Sequence, residues 1–179
     1  MADFNLLVYD GNTNSPGLGK VNILKRNYKE TLGDYYLMMS LESFILNISK
    51  IKTDYIGKMK ELYKDDDEFH FLIPVSSCNY FVNKIKDWIT DEFPDATDIS
   101  DLFSEREKID MARNGKGDKQ KFKENIIIEE EIKDFKITKL FIGDDVYNTG
   151  TTIEVYTELI KEKLNNDIEF SFGTLVKTK

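Results

Sequence analysis

Leu140-Phe141-Ile142 is apolar at successive positions, so a strand built from it has to be covered on both faces. Ile126-Ile127-Ile128 and the stretch from Phe69 to Val75 have the same character. Phe4 to Tyr9 reads as a strand or an extended lead-in, and Ile168 to Val176 as a last strand. Helical periods run between them. Leu37, Leu41, Phe44, Ile45 and Ile48 share one face from Asp34 to Lys50, and a shorter helix covers Tyr55 to Tyr63. Phe81, Ile85, Trp88 and Ile89 mark a third helix that ends near Pro94, and a fourth runs from about Thr152 to Leu164. Doubly covered strands joined by helices predict an α/β fold with a mainly parallel sheet flanked by helices. Residues 95–124 read as polar and irregular, and Gly11 to Gly19 as a loop.

A chain of 179 residues fits one domain, 1–179, and contains no repeat or linker that would divide it; the part up to about residue 65 reads as a helical hood or lead-in. The formal net charge of −8 argues against a general nucleic-acid or anionic-membrane surface, so any phosphate recognition must be local. The single cysteine, Cys78, excludes an intramolecular disulfide and a multi-cysteine zinc site. MADFNLLVYD has no basic leader, and no span is long enough to cross a bilayer, which predicts a cytoplasmic protein.

The window FIGDDVYNTGTT, Phe141 to Thr152, concentrates the chemistry. Asp144 and Asp145 are expected at the exposed carboxyl end of a strand, where open α/β sheets bind ligands. The following turn opens a helix, whose first N–H groups favour an anion, and Gly150 lets backbone approach it closely. Carboxylates accept hydrogen bonds from sugar hydroxyls, or help hold a hydrated Mg²⁺ beside a diphosphate. A sugar phosphate would satisfy both halves. Thr151-Thr152-Ile153-Glu154 also fits a capping box with Thr151 as cap and Glu154 reaching back, which needs no ligand. It is the combination in one window that favours a site.

An apolar strand, an acidic pair and a Thr-Gly-x-Thr turn resemble the signature of the type I phosphoribosyltransferases. Tyr9-Asp10-Gly11, Leu24-Lys25-Arg26, Leu72-Ile73-Pro74-Val75-Ser76, Asn125-Ile126-Ile127 and Phe172-Gly173-Thr174-Leu175-Val176-Lys177 are similar to segments of the competence-protein-F-like branch. The resemblance implies a glycosyltransferase of nucleotide metabolism, which displaces diphosphate from phosphoribosyl diphosphate by a nitrogenous acceptor, with Mg²⁺ as cofactor. Asp144 and Asp145 would be the catalytic pair on the ribose hydroxyls and would hold the metal through water. Asn148, Thr149, Gly150, Thr151 and Thr152 would cradle the 5-phosphate. Ser76, Ser77, Cys78 and Asn79 would face the diphosphate, and Lys116, Lys119 and Lys121, in the basic stretch 113–123, would form a mobile flap over it, a stretch that reads equally as a solvated surface loop.

This chain departs from that branch by lacking its zinc-binding cysteine module. Ser76 stands in place of a second proline, and Asn148 stands where Thr or Ser is commoner. The acceptor base is unspecified, and a protein partner or a homodimer stays open. Two other readings are compatible: a non-catalytic module that senses a phosphoribosyl or nucleotide ligand, and a nucleotide-modifying effector of a bacterial defence or toxin system. Elsewhere, His70 in its apolar strand reads as a packing residue, Trp88 as core, and Gly17-Leu18-Gly19-Lys20 as a loop without Walker spacing.

Overall fold

The structure is a computed structural model that describes residues 2–9, 41–64, 68–75, 80–107, 119–147, 149–164 and 167–178. Tyr9 apart, the early segments through Arg26, the 11–19 loop and residues 34–40 of the first expected helix lie outside them. In chain order the elements are β1 (Ala2–Tyr9), α1 (Leu41–Leu62), β2 (His70–Leu72), α2 (Tyr80–Glu92) and β3 (Thr97–Asp98). A 3₁₀ turn (Ser100–Leu102), β4 (Phe103–Glu105), α3 (Lys119–Asn125), β5 (Ile126–Ile128) and a second 3₁₀ turn (Glu130–Asp134) follow. The chain closes with β6 (Lys139–Tyr147), α4 (Thr151–Leu164) and β7 (Glu169–Thr178).

Five strands form one sheet in the order β1-β7-β6-β2-β3, and every pairing in it is parallel. This is the α/β architecture that the continuous apolar runs predict. Adjacent residues of β6 serve opposite layers. Phe141 packs with Tyr55, Met59, Ile85 and Trp88 of α1 and α2, whereas Leu140 and Ile142 pack with Ile153, Tyr156 and Ile160 of α4. Neither face of the strand meets water, which is why its apolar residues do not alternate with polar ones.

Three expectations are corrected. The two helices expected over 34–63 are one helix of 22 residues across the described part. Ile48, Ile51, Tyr55, Met59 and Leu62 keep a continuous packed stripe, and Thr53 turns its hydroxyl back to the Ser49 carbonyl at 3.0 Å. The polar run between them therefore does not break the helix. Ile126-Ile127-Ile128 does not join the main sheet; β5 pairs antiparallel with β4 in a separate ribbon, where Ile126 alone of the three is buried. Residues 95–124 are not uniformly irregular either, since they hold β3, β4, a 3₁₀ turn and most of α3, with Phe122 buried at 1% exposure. No helix among the described residues is long and apolar enough to cross a membrane.

Candidate functional site

From β2 the chain passes through α2 to β3, on the side of β2 away from β6. From β6 it passes through α4 to β7, on the side of β6 away from β2. The two crossovers diverge from neighbouring strands, with α2 and α4 on opposite faces. A crevice opens at the carboxyl ends of such a strand pair, and the expected acidic pair and phosphate turn both lie on its β6 side.

Asp144 and Asp145 sit within β6 and not beyond it, because pairing to β7 continues through Tyr147. The expected exposed pair is therefore unequal. Asp144 is buried at 4% exposure and its Oδ1 accepts the Asp145 backbone N–H at 2.7 Å, while Asp145 is half-buried. Asp144 lies in register with Thr174 of β7, and Thr174 with Asn5 of β1; the Thr174 hydroxyl donates to Asn5 Oδ1 at 2.5 Å. A polar row thus crosses three strands directly above the apolar row of Ile142 and Phe172. On the other face, Gly143 and Gly173 are neighbours, leaving room for the rings of Tyr55 and Phe4. The Tyr55 hydroxyl donates to the Gly173 carbonyl at 3.3 Å. Burial, and then the charge of Asp144, push its pKa well above the usual phenol range.

The turn after β6 brings Thr149, Gly150, Thr151 and Thr152 to the start of α4. Gly150 has φ +78° and its carbonyl accepts the Glu154 N–H at 2.9 Å, so Gly150 caps the helix and Thr151 is its first residue. The Thr149 hydroxyl meets the Thr151 hydroxyl at 2.8 Å and accepts the Thr151 N–H at 3.4 Å. The capping box with Thr151 as cap is not formed, because Gly150 holds the cap position and the Thr151 N–H turns to Thr149; the Glu154 carboxylate pairs with Lys119 at 3.2 Å. Tyr147 folds over this turn. Its ring stacks on Phe172 at 5.7 Å, and a Cβ added to Gly150 would come within 2.7 Å of its hydroxyl.

Lys119 belongs to α3 and binds Glu158 at 2.6 Å as well as Glu154, and Lys123 binds Glu162 at 2.5 Å. Glu158 first, and then Glu154, raise the Lys119 pKa. The far end of the expected flap is thus a helix paired along α4, on which Lys121 is exposed. Lys116, Asn148 and Ser76, Ser77, Cys78 and Asn79 lie outside the described residues.

The β2 side of the crevice is held from a distance. The Ile73 N–H donates to Ser100 Oγ at 2.9 Å, and the Val75 N–H to Tyr156 Oη at 3.2 Å. Ser100 is itself fixed by Asp98, which accepts from its hydroxyl at 2.5 Å and its N–H at 2.8 Å, and Asp98 is paired with Lys86 at 2.7 Å. His70 opens β2 at the end opposite the crevice, edge-on to Phe135 at 5.9 Å. Burial lowers its pKa against the pull of Glu68.

Sequence reasoning had no signal for Asn5, Tyr55, Ser100, Tyr147 or Tyr156, whose roles depend on partners in other elements or on the fold of the turn. Thr174 lay in a segment read as the last strand and for its resemblance, with no role of its own. Among the described residues, no three His, Cys, Asp or Glu side chains gather as a metal cage. No protein-family model matches this chain, and no curated protein does.

Proposed function

We propose that this chain binds phosphoribosyl diphosphate, together with Mg²⁺, at the β6–α4 corner and transfers the phosphoribosyl group to a nitrogenous acceptor, as a domain of the type I phosphoribosyltransferase fold. The observation that carries the reading is the placement of Asp144, Asp145 and the Thr149–Gly150–Thr151–Thr152 turn at the carboxyl end of the central strand, where the two crossovers diverge. Asp145, half-buried at the strand's exit, accepts hydrogen bonds from ribose hydroxyls; Asp144, buried and bonded to the Asp145 amide, holds it in place. Both carboxylates favour the positive charge that develops on the sugar as the leaving group departs. The first amides of α4 receive the 5-phosphate.

Of the two carboxylates, which alternate across β6, half-buried Asp145 is the one that would offer a hard oxygen to Mg²⁺ of the kind that keeps most of its waters and takes substrate phosphate oxygens, while Asp144 stays engaged with the Asp145 amide. Such an ion, when bound, neutralises the departing diphosphate. A second reading, a non-catalytic sensor of the same ligand, draws support from Tyr147 lying against Gly150 and from the ion pairs that occupy Lys119.

Calorimetry with phosphoribosyl diphosphate and Mg²⁺ tests the site, and diphosphate release across a panel of bases separates enzyme from sensor. The parent should bind, and a ligand at a hundred times its dissociation constant should add about 2.7 kcal/mol to stability. Asp144→Asn and Asp145→Asn should each weaken binding while the fold survives, because asparagine at 144 still accepts the 145 amide. Unchanged affinity in both variants would show the site to be elsewhere.

A further inference from the structure

β2 outruns its neighbour β3, which is two residues long. Phe69 and Phe71 present their carbonyls to the amides of Thr97 and Ile99. The amides of Ile73 and Val75, two and four residues beyond Phe71, follow where both β2 and β3 have ended. Amides withdrawn from water need acceptors, and here two side-chain oxygens supply them, for the Ile73 amide in a buried setting and for the Val75 amide in a part-buried one. Ser100 belongs to the segment just after β3, so its bond to Ile73 is local to that edge. Tyr156 comes from α4, four residues after Thr152, on the helix whose first turn forms the opposite lip of the crevice. Its ring is fully buried, 5.5 Å from Phe103 and 6.4 Å from Phe122, so the hydroxyl is held in place.

We infer that Tyr156 is a positioning residue whose hydroxyl sets the spacing between the backbone leaving β2 and the first turn of α4. By fixing both lips it favours a sugar that carries anionic groups at both ends over one that carries a single phosphate. This deepens the proposed function and rests on it. A purely structural role would be to satisfy the Val75 amide, which would affect every ligand alike or none.

Calorimetric affinities for phosphoribosyl diphosphate and for ribose 5-phosphate, each with Mg²⁺, distinguish the two roles when measured on the parent, Tyr156→Phe, Val75→Pro and the double variant. Tyr156→Phe removes the acceptor and keeps the ring; Val75→Pro removes the donor from the other side. Each single variant should lose about tenfold in affinity for phosphoribosyl diphosphate and keep its affinity for ribose 5-phosphate. The double variant should lose no more than the larger single loss, because both changes break one bond. If the parent binds both ligands and the variants lose neither, or lose both in parallel with their melting temperatures, the positioning role is wrong and the proposed function stands. If the parent binds neither, the proposed function fails and this inference fails with it. Should Tyr156→Phe not fold, Val75→Pro decides the matter alone.

Discussion

The two corners that flank the crevice are built in opposite ways. The β6 corner is made from its own sequence: Asp144 receives the amide of Asp145, Tyr147 closes on Gly150, and Thr149 meets Thr151. The β2 corner is made by distant residues, since Ser100 lies 27 positions from the amide it accepts and Tyr156 lies 81 positions away. A corner of the first kind can be damaged by changing one of its own residues. One of the second kind can be loosened without touching it.

The most damaging single change should be Gly150→Val. A φ of +78° costs a branched residue about 1–3 kcal/mol from the backbone alone, and the added carbon would meet Tyr147 Oη at 2.7 Å. Urea denaturation should show this loss with no ligand present. A variant as stable as the parent would mean that the turn is not organised around Gly150. Next comes Ser100→Ala, which should cost about 1–3 kcal/mol by leaving the Ile73 amide unpaired in a buried setting. It alters the β2 corner from outside. If the urea midpoint does not move, that corner does not depend on its remote acceptor.

A smaller effect is expected at the opposite end of β2. Burial lowers the pKa of His70 below its usual 6.5, so the unfolded chain takes up a proton before the folded one does. Stability should therefore fall as pH drops through 6.5 and level off once the folded form is also protonated. His70→Gln should flatten that step in urea midpoints measured against pH. A step that persists in the variant would belong to another group. The smallest effect should come from Lys119→Gln, since its pair with Glu154 is exposed, that with Glu158 only part-buried, and both are screened by solvent. The melting temperature should barely move at low salt and not at all at high salt. A large loss would show that the α3–α4 ion pairs, and not the burial of Phe122, hold the two helices together.

Much of this contrast follows from what a sequence carries locally. Leu140-Phe141-Ile142 announced a doubly covered strand, and Asp-Asp followed by Thr-Gly-Thr-Thr announced a strand-turn-helix, because periodicity, glycine and helix starts act over a few residues. The tertiary structure decided what depends on pairing between distant segments. It placed Ile126-Ile127-Ile128 in a side ribbon, continued α1 through a polar stretch, and paired Glu154 with Lys119 of α3. It also buried Asp144 beneath the strand's continuation and aligned it with Thr174 and Asn5, whose positions are 30 and 139 residues away in the chain. Strand order and register set such neighbours, and they arise from the packing of whole layers, for which no short window of residues holds a signal.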